Sequence, residues 1–392
     1  MYLSSGRERQ LIIRELFSLN DNLTPPTKLT SYFKCFDALS SIYTTTSPST
    51  IQISLNNSKN DFTPHPTFNI LAVIRALKND PSLTRNTLYA LDLSTPSPSL
   101  ERELAININS KAAAIHLGVH LMLMIDCSVA ERYPADYNIA GVRPLKWNDE
   151  ESFPGFVERA FRYSELRIPS INFNSDFDLE FEGRESDITA FSLQTYGHLR
   201  FVPTDNLIEH LLLDIRRREV KIFHHTPFLK AQLRVSMSKP LETPVSECLT
   251  MGILPPQLLL ETLYSIQSIL FPSHDEDLAF VLDRLLKSGT FDPDMCVYEG
   301  PGREDPEHIR YRYWGARLSR LYDVARNPEP TSGMQRWLER NAKERNVLYI
   351  GIIALVLNAV FGLLIVAISC FQAWISWRAW TDSLIETPDN RP

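Results

Sequence analysis

The chain has 392 residues, 44% of them hydrophobic, and a net charge of −7. This composition is typical of a folded protein, and the length allows one large or two ordinary domains. The acidic balance argues against nucleic acid as a partner, because nucleic-acid-binding surfaces are basic. The five cysteines are widely scattered and form no CxxC pair. That spacing argues against both a disulfide framework and a cysteine-rich zinc site.

Residues 1–110 are predicted to form an N-terminal helical region with Ser/Thr/Pro-rich loops. Helices are expected at 28–43, 68–77 and 82–93, and a strand is expected at 50–55. The first 19 residues carry several charges and no sustained apolar core. We therefore expect no signal peptide there.

Residues 111–326 are predicted to form the main α+β domain. A helix should begin after Ser110, and its apolar part is too short to cross a membrane. Strands at 198–202 and 219–224 alternate with helices at 206–213 and from Thr226, with Thr204 as the N-cap of the first helix. Further helices are expected at 255–270, 275–286 and 308–326. The predicted fold class is α+β: a mostly helical soluble domain followed by one C-terminal transmembrane helix.

An acidic row alternates with apolar residues over 171–182, which is typical of a strand with one solvated face. Its members are Asp176, Asp178, Glu180 and Glu182. The alternative, a site for a hard cation, would need carboxylates that converge around a tight glycine turn. The solvated face is therefore the favoured interpretation.

Two histidines, His116 and His120, lie four residues apart and so share one helix face. The zinc-peptidase motif needs a glutamate after the first histidine, and Leu117 stands there instead. Packing roles are expected for both residues, and a metal pair is the alternative.

Adjacent histidines at 224 and 225 end a predicted strand, so they should point to opposite faces and share no ligand. His210 lies on the preceding predicted helix. A His/His/Asp cluster with Asp205 or Asp214 is a further arrangement, which nothing in the sequence singles out. The sequence contains no GxSxG, Walker A or GxGxxG motif. We therefore predict no catalytic, cofactor-binding or metal-binding residue.

The most distinctive stretch lies near the C-terminus, where residues 346–377 contain no Asp, Glu, Lys or Arg. About 20 apolar residues cross a hydrocarbon core, so 347–377 is predicted to be a transmembrane segment. It follows a Pro-containing hinge and basic juxtamembrane helix at 327–346 and precedes a short polar tail at 378–392. The residues predicted at the membrane interface are Arg336, Arg340, Lys343, Arg345, Tyr349, Trp374, Trp377 and Trp380.

The excess of Lys and Arg on the N-terminal side of this segment predicts a cytosolic domain and a translocated tail. Insertion would then occur as in tail-anchored proteins. Sequons at Asn22 and Asn56 would matter only in the opposite orientation.

Small residues recur along one face of the predicted span. Ala354, Asn358 and Gly362 are spaced by four, and such faces let transmembrane helices approach and hydrogen-bond. This spacing predicts helix pairing, with a homo-oligomer as one outcome. Chance spacing in an Ala- and Gly-containing span is the alternative.

A basic, aromatic helix is predicted at 309–325, just before the anchor. Its apolar stripe includes Trp314, Leu318 and Leu321, and arginines surround it. Such a helix either packs its stripe into the core or lies against anionic lipid. Core packing is the favoured interpretation.

Several segments together resemble a group of fungal proteins of similar length that end in one transmembrane helix. They are MLMIDCS, FHHTPFLKAQL, LPPQLLLETLYSIQSILFP, YRYWGARLSRLYDVARNPEP and FGLLIVAISCFQAWISWRAW. The resemblance extends over most of 122–380. It implies the same architecture, and it implies no activity because none is established for that group.

These observations predict a single-pass membrane protein that acts as a non-catalytic interaction or scaffold protein. Its expected partners are the lipid bilayer and a protein still to be identified, and no cofactor is expected. The first alternative is a membrane-surface enzyme of the hydrolase type, with residues among His198, His210, His224 and His225. The second is a subunit of a membrane complex that is contacted through Asn358.

Overall fold

The computed structural model describes most of the chain in ten stretches. These are residues 6–17, 26–45, 69–93, 110–127, 145–166, 188–272, 276–298, 309, 311–326 and 347–385. The chain divides into two compact units, Met1–Pro328 and Glu329–Pro392. The first is a mostly helical α+β domain, and the second contains one long apolar helix.

Twelve helices belong to the described part of the first unit. Their bounds are α1 Gly6–Phe17, α2 Thr30–Thr45, α3 Ile70–Asn79, α4 Arg85–Ala90, α5 Lys111–Leu123, α6 Phe153–Leu166, α7 Ala190–Thr195, α8 Thr226–Val235, α9 Val245–Thr250, α10 Pro256–Tyr264, α11 Glu276–Lys287 and α12 Gly315–Arg326. A π-helical turn, Ser265–Leu270, continues α10. A short 3₁₀ turn, Pro26–Leu29, precedes α2.

Local capping explains where α3 and α5 begin. The side chain of Asn69 accepts a hydrogen bond from the backbone N–H of Leu71, and that of Ser110 accepts one from Ala113. Each cap satisfies a backbone donor that has no partner within the helix. Helix α5 ends at Met124, whose φ of 54° lies in the left-handed region. The predicted helix start after Ser110 is therefore confirmed.

A three-stranded sheet lies between α7 and α8. Its strands are β1 Arg200–Thr204, β2 Leu212–Asp214 and β3 Glu219–Phe223, in the order β1-β3-β2. Strands β1 and β3 are parallel, and β2 is antiparallel to β3. The central strand carries Val220, Ile222 and Phe223, which are fully buried.

The predicted helix at 206–213 is wrong. Asn206, rather than Thr204, caps a single 3₁₀ turn by accepting a hydrogen bond from Ile208. Leu211 then adopts a φ of 58°, which ends any helical path. Leu212 and Leu213 belong to β2 and pair with β3 instead, an arrangement that buries both side chains.

One hydrophobic core connects the described parts of the first unit. It extends from Ile12 in α1 to Leu321 in α12 and includes the fully buried Trp147 and Trp314. Core residues on both sides of residue 110 belong to this cluster, including Val73 of α3 and Val119 of α5. The first unit therefore has a single continuous core in its described residues.

The predicted helix at 308–326 begins later than expected, at Gly315. The carboxylate of Glu261 accepts hydrogen bonds from the backbone N–H groups of Arg312, Tyr313 and Trp314. These contacts hold the preceding residues in a turn. Helix α12 packs Trp314, Leu318 and Leu321 into the core, as the favoured interpretation of its apolar stripe expected.

The second unit contains helix α13, Val347–Ile385. Among the described residues it is the one helix long and apolar enough to span a membrane, and its apolar window Ile353–Thr381 is 0% buried. Such a helix can act as a membrane anchor.

Some predictions concern residues outside those described. They are the strand at 50–55, the acidic row at 171–182, the hinge and juxtamembrane helix at 327–346, and the tail beyond 385. The interface residues Arg336, Arg340, Lys343 and Arg345 lie there too, as do both sequons. These remain predictions.

Candidate functional site

The parallel pairing of β1 and β3 brings distant polar residues to one edge of the sheet. Thr204, the last residue of β1, is in register with Phe223, the last residue of β3. Asp205 follows the first strand and His224 and His225 follow the second. The carboxyl ends of parallel strands are the usual place for ligand sites in such sheets.

Both histidines contact the same carboxylate oxygen. The Nε2 atom of His225 lies 2.7 Å from Oδ1 of Asp205, and that of His224 lies 3.3 Å from it. The expectation that adjacent histidines point to opposite faces is therefore wrong. His225 lies beyond the strand as the N-cap residue of α8, and the two imidazole centroids are 4.1 Å apart.

The hydrogen bonds assign a proton to each ring. Nδ1 of His224 accepts a 3.0 Å hydrogen bond from the backbone N–H of Asp292, so its Nε2 carries the proton that it donates to Asp205. Nε2 of His225 donates to the same oxygen when that ring is neutral. Its Nδ1 is buried and has no hydrogen-bond partner. A buried polar atom without a partner is unusual, and no group on that side fixes the tautomer of the ring.

Two further helices contribute to the cluster. Cys35 of α2 lies with Sγ 3.7 Å from Nε2 of His120 on α5. Tyr32, one turn before Cys35, donates a 2.7 Å hydrogen bond to the carbonyl of Leu121 and ties the two helices together. The ligating atoms of Cys35, Asp205 and His225 all lie within 4.8 Å of one another.

Burial and neighbouring charges set the protonation states of the cluster. Burial raises the pKa of Asp205, but hydrogen bonds from His224 and His225 outweigh it and hold the pKa well below its usual range. Burial lowers the pKa of His225 to about 4. Burial and then the carboxylate of Asp205 raise the pKa of the Cys35 thiol far above its usual value. At neutral pH the cluster therefore has an ionised carboxylate, a neutral imidazole and a protonated thiol.

Solvent reaches the cluster through Asp205. Its side chain is 52% exposed, whereas that of His225 is 1% exposed. The segment that follows Asp205 is tied to the end of α5, because the backbone N–H of Leu207 donates a hydrogen bond to the carbonyl of Met124. An ion or small molecule can therefore reach the carboxylate of Asp205 from solvent, while the imidazole of His225 remains buried.

The other candidate histidines lie in separate environments. His210 is fully buried; its Nδ1 accepts a hydrogen bond from the N–H of Phe223, and its Nε2 lies 2.8 Å from Oγ of Ser265. Burial and the nearby Arg317 lower its pKa well below the usual value, so it is neutral. His198 is exposed. His116 lies 3.4 Å from the guanidinium of Arg85.

Asp214 is also outside the cluster, since its carboxylate accepts backbone N–H groups in the turn that follows β2. Sequence reasoning missed Cys35 altogether and gave His120 a packing role. Four residues at positions 35, 120, 205 and 225 form no local motif. The one available signal was the pair of parallel strands, whose carboxyl ends bring Asp205 and His225 together.

The predicted features of helix α13 lie on its exposed surface. Ala354, Asn358 and Gly362 are exposed on α13, and a Cβ atom added at Gly362 would meet nothing within 4 Å. Trp374, Trp377 and Trp380 are also exposed, and Tyr349 lies within the helix.

No protein-family model, no curated protein and no solved structure matches this chain.

Proposed function

We propose that this is a single-pass membrane protein whose C-terminal helix holds a folded interaction or scaffold domain at the cytosolic surface. The observation that carries the proposal is helix α13, an apolar helix whose candidate span is 0% buried. Everything before it that the structure describes belongs to a separate folded unit with its own core.

The exposed side chains of α13 support a lipid environment. Leu355 and Leu363 are 71% exposed, and Ile365 is 64% exposed. Removing one such side chain from water gains roughly 1.5–3 kcal/mol, and the span carries many of them. Soluble proteins rarely leave an apolar surface of this extent uncovered. A bilayer covers it along the whole length of the span.

The interaction role follows from the absence of catalytic motifs in the sequence and from the anchor, which would concentrate the domain near membrane-bound partners. The experiment compares the wild-type chain with a triple arginine variant that combines Val360→Arg, Leu363→Arg and Ile365→Arg. Each arginine near the centre of the span costs roughly 2.5–3.5 kcal/mol on insertion, so three together outweigh the roughly 0.3–0.6 kcal/mol that each apolar residue contributes on the same scale. We expect the wild type to resist alkaline carbonate extraction and the variant to be released.

Proximity labelling of the same two proteins tests the scaffold role. We expect a reproducible set of neighbours around the wild type that is lost in the triple arginine variant. The matched control, with leucine at positions 360, 363 and 365, should keep it. A wild type that carbonate extracts would refute the anchor. A wild type that remains in the membrane without reproducible neighbours would refute the scaffold role and leave the anchor standing.

A second candidate function, a membrane-surface hydrolase, is favoured by one observation. The Asp205 carboxylate orients the neutral imidazole of His225, the arrangement that general bases adopt. The protonated thiol of Cys35 does not fit a cysteine nucleophile. Hydrolysis of a panel of ester and phosphoester substrates by the wild type, lost in His225→Gln, would support this function. Equal rates for both proteins would remove it.

A further inference from the structure

The cluster at the carboxyl ends of β1 and β3 has the donor chemistry of a metal centre. It joins one sulfur, one carboxylate and two imidazoles from four different elements. Thiolate and imidazole ligands select zinc and related transition metals over magnesium and calcium, which take oxygen donors. We propose that four side chains bind one divalent ion of the zinc class: Cys35, His120, Asp205 and His225.

The separations of the donor atoms suit such an ion. Zinc binds sulfur at about 2.3 Å and nitrogen or oxygen at about 2.0–2.2 Å, which sets the ligand atoms of a tetrahedron roughly 3.3–3.8 Å apart. Sγ of Cys35 lies 3.7 Å from Nε2 of His120. Cys35, Asp205 and His225 each offer an atom within 4.8 Å of the others. Cys35, Asp205 and His225 therefore form the core of the proposed site, and His120 joins it through its contact with Cys35.

The unpartnered Nδ1 of His225 leaves the tautomer of that ring unfixed. Since nothing bonds its Nδ1, the ring proton can move there from Nε2, which leaves Nε2 with a lone pair for the ion. His224 has no such freedom. Its Nδ1 is occupied by the N–H of Asp292, so Nε2 keeps its proton and continues to donate to Asp205.

His224 is thus assigned to the outer shell, where it positions the carboxylate. Metal-binding groups are commonly held by such hydrogen bonds, and losing one typically weakens metal binding about 10–100-fold. Its role differs from that of His225 although the two rings are neighbours.

Binding of the ion releases one proton from the protein. The thiol of Cys35 releases its proton to solvent as the sulfur–metal bond forms, while both imidazoles stay neutral and Asp205 is already ionised. The ion supplies the positive charge that a buried thiolate otherwise lacks. Affinity should therefore fall as the pH is lowered.

The test uses the full-length chain in detergent, freed of metal and titrated with Co²⁺ and Zn²⁺. Bound Co²⁺ reports a thiolate ligand by a charge-transfer band in the near ultraviolet. We expect one equivalent to bind with this band, Zn²⁺ to displace it, and calorimetry in buffers of different ionisation enthalpy to give one proton released per ion.

Variants assign the ligands. Cys35→Ser should abolish the band, Asp205→Asn should weaken binding more than about 100-fold, and His224→Gln should weaken it about 10–100-fold. Cys248→Ser is the matched control, since the sulfur of that buried thiol lies 3.6 Å from the carbonyl oxygen of Thr243 and is not part of the cluster. Asp205 is half exposed, so its substitution tests the site even where Cys35→Ser fails to fold.

Absence of the band, or a band that survives Cys35→Ser, would overturn the proposal. So would a band lost in Cys248→Ser. None of these results tests the membrane anchor, which carbonate extraction tests separately.

Discussion

Glu261 is a buried carboxyl group whose titration near neutral pH makes the stability of the domain depend on pH. It is 0% exposed, and its Oε2 accepts hydrogen bonds from the N–H groups of Tyr313 at 2.7 Å and Trp314 at 3.1 Å. Its Oε1 accepts from Arg312 and from the side chain of Gln257. Burial nevertheless outweighs these donors and raises the pKa of Glu261 to about 7, from an ordinary value of 4.5.

The sign of the effect follows from this raised pKa. The folded domain holds the proton more tightly than the unfolded chain does, so protonation of Glu261 stabilises the fold. This contribution is complete below about pH 4.5 and is lost as the pH rises through about 7. The gap between the two pKa values corresponds to about 3 kcal/mol, at about 1.36 kcal/mol for each pH unit.

The perturbation is Glu261→Gln, which removes the titration and keeps the shape of the side chain. The amide also presents an NH₂ group to backbone donors, so the variant should be less stable than the wild type at low pH by about 1–3 kcal/mol for each donor left unpaired. Urea unfolding of the full-length chain in detergent, followed by tryptophan fluorescence, measures both effects, since Trp147 and Trp314 are buried in the folded domain.

We expect the wild type to lose about 3 kcal/mol more than Glu261→Gln between about pH 4.5 and 7. Glu247→Gln is the control, because that carboxylate lies near the surface and bonds Lys239. Parallel stability curves for the wild type and Glu261→Gln would refute the reasoning, as would a wild type that gains stability relative to the variant as the pH rises.

Three further variants test the packing and the proposed anchor. Gly118→Ala would place a Cβ atom 2.9 Å from Cγ1 of Val73. Overpacking of α3 against α5 should lower the free energy of unfolding by about 1–3 kcal/mol, and the higher helix propensity of alanine should offset about 1 kcal/mol of that loss. Urea unfolding measures the net change. Arg317→Met should destabilise by about 1–3 kcal/mol in the same assay, because it leaves the carbonyls of Ile208 and His210 without their donor. Replacing Asn358 and Gly362 together with Leu should abolish self-association in detergent, measured by sedimentation; unchanged association would show that this face does not pair helices.

Much of the helical architecture is predictable because it rests on local signals. The cap at Ser110, the apolar spacing of α3 and the uncharged stretch of α13 are each contained in a short run of sequence. The failure at 206–213 has a tertiary cause. Leu212 and Leu213 suit a helix as well as a strand, and pairing with β3 decides between them.

The candidate site is predictable only in part. The register of β1 against β3 determines that Asp205 meets His225, and recognising two parallel strands is enough to suggest it. Cys35 and His120 come from helices far away in sequence, and packing of α2 on α5 brings them to the sheet edge. The prediction for His224 and His225 was wrong because β3 ends at Phe223, so neither histidine follows the alternation of side chains along the strand.

The orientation of the anchored domain is tested most directly by protease protection on intact membrane vesicles, with one tag before Met1 and one after Pro392. The basic residues before α13 predict that protease removes the N-terminal tag and spares the C-terminal one. A protected N-terminal tag would contradict the cytosolic placement. The sequons at Asn22 and Asn56 would then face the compartment where glycosylation occurs.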